Sequence, residues 1–162
     1  MEENTFDFNS VLDALIDIGQ AFPPKLWNQF SDLTGDDIKL LKEKWGLVDV
    51  QRKVTLLQDL ASLMDYDFQV SFDRFAKFCL NDDEPLVRAN AIRLLSEYDD
   101  ADMIDPMLDI LANDADEEVQ AMAATMLGNY VYLGELEELS EADKVRVEDA
   151  LLHMIDESVA VI

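Results

Sequence analysis

Polar and apolar residues recur along this chain with a helical period, and the clearest instance occurs twice. In Asp82–Tyr98, DDEPLVRANAIRLLSEY, and again in Asp114–Tyr130, DADEEVQAMAATMLGNY, apolar positions fall at i, i+4, i+7, i+8 and i+11, one face of an α-helix rather than the alternation of a strand. Placing Val87 on Val119 also places Ala89 on Ala121, Ala91 on Ala123 and Leu95 on Leu127, with Leu94 opposite Met126 and Tyr98 opposite Tyr130. That register has a period of about 32 residues, which suits stacked helix pairs. Val50, Val54 and Leu57 repeat the spacing of Val87, Ala91 and Leu94, so residues 48–64 read as a degenerate earlier copy of the second helix.

The remaining elements follow from stop and start signals. A first helix is expected from a cap at Asn9 or Ser10 through Gln20, closed by Gly19 and Pro23-Pro24. Leu26, Trp27 and Phe30 then make a short apolar turn. Thr34 with Asp37 resembles a capping box for a helix running to Trp45, with Gly46 ending it in the left-handed conformation. Residues 71–80 put Phe72, Phe75, Ala76, Cys79 and Leu80 on one side and supply the first helix of the next pair. Pro85 and Pro106 belong in first turns, where their missing N–H has no helical acceptor. Gly134 is expected to stop the helix begun at Glu117, Ser140 with Asp143 to cap a helix through Asp156, and residues 157–162 to begin another.

The motif D-x-E-P-x-V-R-x-x-A-I-x-x-L, with its echo D-A-D-E-E-V-Q-x-x-A-A-x-x-L, resembles HEAT repeats of the short bacterial type. F-S-D-L-T-G-D-D near residue 30 and L-G-E-L-E-E-L near residue 133 extend that similarity over nearly the whole chain. The resemblance implies an all-α fold, a right-handed α-α superhelix or solenoid used as an interaction surface, with second helices on the concave side and no catalytic motif. One domain over residues 1–162 is expected, with capping helices at 1–46, repeat pairs at 47–136 and a final helix with an incomplete repeat at 137–162. One departure stands out: the family commonly pairs a loop aspartate with the arginine after the valine, and Arg88 becomes Gln120 in the second copy.

Composition narrows the function. Thirty-six acidic against 12 basic side chains give a formal charge of −24, which repels nucleic-acid phosphates and anionic membranes and leaves a basic protein as the expected partner. No lysine or arginine lies between Arg93 and Lys144. The candidate binding residues are therefore Asp99, Asp100, Asp102, Asp105 and Asp109 on an acidic face, against the plainer reading of a solvated surface. Arg93, Gln120 and Thr125, off the apolar stripe, are candidates for the concave side.

Chemistry is sparse. Cys79, alone, reads as a buried core thiol. His153 has no nucleophile at a catalytic spacing, and the five glycines form no phosphate loop. The cluster Asp114, Asp116, Glu117 and Glu118 lacks the spacing of a calcium loop and suits a helix N-terminus. Met103, Met107, Met122 and Met126 read as core fillers, or as a groove for partner helices. No catalytic residue, metal or cofactor is expected. The N-terminus lacks a signal peptide pattern and no apolar run is long enough to span a bilayer, which suggests a cytoplasmic setting.

The reading that results is a non-catalytic protein-binding scaffold or adaptor. Its rivals are an acidic inhibitor that mimics nucleic acid and a HEAT-like enzyme such as a lyase. The apolar face offered by Val147, Leu151, Met154 and Ile155 further suggests a shortened form of a longer repeat protein, self-associating as a homodimer through residues 145–162.

Overall fold

The computed structural model describes residues 6–135 and 138–160. Among these the chain is helical throughout, with α1 (Phe8–Ile16), α2 (Gly35–Lys44), α3 (Val50–Met64), α4 (Asp73–Cys79), α5 (Pro85–Leu95), α6 (Ile104–Asn113), α7 (Glu117–Glu135) and α8 (Glu141–Ala160). Short 3-10 turns occupy Pro24–Phe30, Trp45–Leu47 and Ala101–Met103. It is the all-α helical-repeat fold that the periodicity predicts, and it divides into two compact units between Leu95 and Ser96.

In the first unit α5 packs against both α3 and α4. Its core is aromatic: Phe30 lies 5.5 Å from Phe8 and 4.8 Å from Phe75, and Trp45 meets Phe75 edge-on at 5.5 Å. The stretch before α2 is stitched to the stretch before α4. Asp32 N–H donates to the Ser71 carbonyl at 2.9 Å, Ser71 N–H donates to Ser31 Oγ at 2.8 Å, and Arg74 donates to the Leu33 carbonyl. Asp32 takes φ 53° there, a left-handed turn that aspartate tolerates better than most residues.

The second unit packs α6 and α8 against α7. Its core is aliphatic and sulfur-rich, with Met103, Ile104, Met107, Val119, Ala123, Met126, Leu127 and Val147 buried. Tyr130, also buried, donates its hydroxyl to the Asp100 carbonyl at 2.6 Å and so fixes the turn before α6 onto α7.

Several expected boundaries move. α1 starts one residue before Asn9 and stops at Ile16, not Gln20, because the Asp17 carboxylate turns back to accept the Gly19 N–H at 2.9 Å and Arg52 captures the Asp17 and Gln20 carbonyls. Gly46 sits in a 3-10 turn, and no glycine takes a positive φ among the described residues. Gly134 does not stop α7, which runs on to Glu135; a Cβ there would meet Lys144 Cγ at 2.9 Å, so this glycine permits the close passage of α8. α8 continues through Asp156 to Ala160 without a new start at residue 157, and the last two residues of that expected helix lie outside the described residues. The Thr34–Asp37 capping box forms as expected, and α5 begins on Pro85.

Candidate functional site

The loops ahead of α5 and α7 carry the repeat's polar signature. Asp82 accepts the Glu84 N–H on Oδ1, while its Oδ2 receives the Lys53 ammonium at 2.9 Å and the Trp45 indole N–H at 2.6 Å. The pair is deep: the Lys53 and Asp82 side chains are 9% and 3% exposed, and the ammonium also lies 4.9 Å from the Trp45 ring centroid. Burial alone would raise the Asp82 carboxyl, but the Lys53, Glu84 and Trp45 donors outweigh it and hold the carboxyl below its usual range. Cys79, fully buried beside this knot, has its thiol pushed well up by burial and then by the Asp82 charge.

Arg88 donates to the main-chain carbonyls of Asp82 and Asp83, at 2.9 and 3.1 Å. Gln120 makes the corresponding bond to the Asp114 carbonyl, also at 2.9 Å, so the substitution keeps the loop contact and drops the charge. The acidic cluster there is a set of caps. Asp114 accepts the Asp116 N–H, and Asp116 accepts those of Glu118 and Val119 at the start of α7. Among the described residues no group of three His, Cys, Asp or Glu side chains converges as a metal site.

The predicted acidic residues do not act alike. Asp102, Asp105 and Asp109 follow one exposed side of the Ala101–Asn113 segment, and Asp99 is exposed just before it. Asp100 is half-buried and caps the 3-10 turn by accepting the Asp102 N–H at 3.0 Å. Asp105 carries an ion pair with Arg146 of α8, and Asp109 accepts from Asn113 at 2.8 Å. Of the residues proposed for a concave face, Arg93 is exposed on α5, whereas Thr125 on α7 donates its hydroxyl to its own helix at the Ala121 carbonyl.

Gln120 has a second neighbourhood. It borders a groove of about 680 Å³ between α6, the start of α7 and α8. Leu108, Leu111, Ala150 and Met154 make its apolar lining, while Glu117 and Glu157 stand at its edges. His153, exposed at the same place, lies 3.2 Å from Glu157. The groove therefore offers apolar contact within a negative rim, a pattern suited to the apolar face of a basic helix. Three of the grouped methionines, Met103, Met107 and Met126, are in the core rather than at a surface.

α8 is apolar on two sides. Val147 points into the unit and Met154 into the groove, but Val145, Leu152, Ile155 and Val159 form an outward stripe, with Leu152 60% exposed. Of the self-association face expected from sequence, only Ile155 belongs to this exposed stripe, because Val147 is buried in the unit and Leu151 and Met154 are half-buried. In the first unit Tyr66 and Phe68 project from the turn after α3, aromatic side chains of the kind that anchor interfaces.

The helical period does not point to the knot at Lys53, although a signal for it exists in the sequence. In the register that sets Val50 on Val87, Lys53 falls on Asn90, and both are buried polar residues. A polar residue recurring inside an apolar stripe marks a buried partner.

The sequence pattern of the family described as HEAT repeats matches residues 72–160. Neither a curated protein nor a solved structure matches the chain.

Proposed function

Since the chain belongs to the HEAT-repeat family, whose repeats generally mediate protein–protein interaction, we propose that it is a non-catalytic scaffold or adaptor whose second unit receives a basic, amphipathic segment of a partner protein. The observation that carries this reading is the groove between α6 and α8, with Met154 and Leu111 inside and Glu117 and Glu157 at the rim. The exposed carboxylates of Asp99, Asp102 and Asp109 extend the same negative field and steer such a segment during approach. Helices held by their own packing lose little entropy when a partner docks.

A synthetic amphipathic helix of leucine and lysine tests it by fluorescence anisotropy. Binding should weaken as salt rises, slow on changing Asp99, Asp102 and Asp109 to Asn, and fail with Met154→Glu. Binding indifferent to all three would reduce the acidic face to solvation. The nucleic-acid mimic has less support, because Arg146 interrupts the row of carboxylates at Asp105.

The outward stripe of α8 supports a second interaction, a homodimer through residues 145–160. Light scattering should give a larger particle for the parent than for Leu152→Lys. Equal monomeric masses at high concentration would reject the dimer.

A further inference from the structure

A cleft of about 620 Å³ opens in the first unit between the end of α1, the Pro24–Phe30 turn and α3, a size typical of small-molecule sites. Leu15 and Leu56 form a buried floor, Phe22 and Trp27 a half-buried wall, and Ile18 stands on the rim 72% exposed. Such a lining favours an apolar occupant.

The polar groups at the cleft are unevenly satisfied. Arg52 enters from α3 and spends one terminal nitrogen on the Asp17 and Gln20 carbonyls, which straps the end of α1 in place. Its other terminal nitrogen is buried without an acceptor among the described residues, and so is Trp27 Nε1. In a chain with 36 acidic residues, Arg52 forms no ion pair among the described residues. Asp49 does not serve it as a counter-ion, since its carboxylate caps α3 by accepting the Gln51 and Arg52 main-chain N–H groups. Asp59 lies two turns further along α3, about 10 Å away, where burial raises its carboxyl above the usual value. The cleft thus has a donor end at Arg52 and Trp27, with the capping carboxylate of Asp49 on the same lining, and an apolar middle. A ligand suited to it brings acceptor oxygens and a hydrocarbon body.

We propose that this cleft binds a small apolar carboxylic acid as its anion, with the carboxylate received by Arg52 and the Trp27 indole N–H and the hydrocarbon lying over Leu15, Phe22 and Leu56. The guanidinium fork suits a carboxylate in a way that an ammonium would not. Binding requires the Arg52 and Trp27 side chains to turn, since both donor atoms are buried.

Titrating the intact, 15N-labelled chain of 162 residues with decanoate, decan-1-ol and decyltrimethylammonium tests the site. Decanoate should bind most tightly and shift the Trp27 indole N–H resonance, while that of Trp45, held by Asp82, stays fixed as an internal control. Arg52→Gln should weaken decanoate by roughly tenfold or more and leave decan-1-ol unchanged. Thr55→Trp, introduced at an exposed position on the cleft wall, should abolish both with Arg52 in place, and it stands as the decisive variant if Arg52→Gln does not fold. An unmoved Trp27 resonance would overturn the proposal. So would equal binding of the alcohol or the ammonium, or undiminished decanoate binding in either folded variant. None of these results bears on the groove of the second unit.

Discussion

Asp82 and Asp114 hold the same place in successive repeats, and each accepts the main-chain N–H two residues on, at 2.9 and 3.0 Å. Around Asp82 the first unit builds a buried ion pair with Lys53, an indole hydrogen bond and an arginine on the loop carbonyls. Around Asp114 the second unit uses a neutral glutamine and half-buried carboxylate caps. One backbone solution is thus reached through two chemistries. The Lys53–Asp82 ion pair of the first unit is deeply buried, whereas the second unit's loop contact is a neutral, half-buried hydrogen bond. Loss of one member should therefore cost the first unit far more.

Substitutions that ignore this difference should have the largest effect. Ala91 and Ala123 are fully buried at matching positions, so Ala91→Asp and Ala123→Asp should each cost several kcal/mol and unfold or grossly destabilise the chain. Thermal denaturation followed by circular dichroism measures this, and a melting point within a few degrees of the parent in either variant would refute the shared register.

Next in size, Lys53→Met leaves Asp82 buried without its cation and should cost about 3–5 kcal/mol. Gln120→Ala removes a neutral, half-buried hydrogen bond and should cost only about 1 kcal/mol. Both tryptophans lie in the first unit, so urea titration read by tryptophan fluorescence follows that unit, and circular dichroism follows both. Comparable losses in the two variants would erase the distinction between the loops.

The units should also answer to opposite ends of the pH scale. Asp82 has a folded value below its unfolded one, so its stabilisation is complete above about pH 4 and is lost as pH falls through the lowered value. Tyr130 is pushed up to about 12 by burial, then by Asp100 and Asp99. Its contribution is complete below about pH 10 and is lost as pH rises toward about 12. Asp82→Asn should flatten the acid limb read by fluorescence, and Tyr130→Phe the alkaline limb read by circular dichroism. Unchanged limbs would detach both groups from stability.

The smallest effects separate two glycines of α7. Gly128 has open space where a Cβ would go, so Gly128→Ala should stabilise by about 0.5–1 kcal/mol through helix propensity. At Gly134 the added methyl meets Lys144 on three side-chain atoms, the nearest at 2.9 Å, and should cancel that gain. Equal stabilisation by both would mean that α8 yields freely.

What could be read from sequence was local. The Thr34–Asp37 box, the Ser140–Asp143 pair and the entry of α5 at Pro85 depend on residues within one helical turn of one another, and each appears where its spacing places it. The misplaced ends depend on partners far along the chain: Arg52 acts on carbonyls 32 and 35 residues before it, and Lys144 explains Gly134. Similarly, charge count made Asp99 to Asp109 a single surface, but Arg146, from 41 residues beyond Asp105, divides it. The Lys53–Asp82 contact spans 29 residues, and the helical period that places each side chain toward the interior does not say which polar groups meet there.

The sealed position of Cys79 gives the molecule a chemical clock. It is the chain's one thiol, it has no solvent exposure, and its environment opposes the thiolate that alkylating and disulfide reagents require. A reagent in excess can label it only when α4 separates from α5, so the labelling rate at a given temperature reports how often the first unit opens.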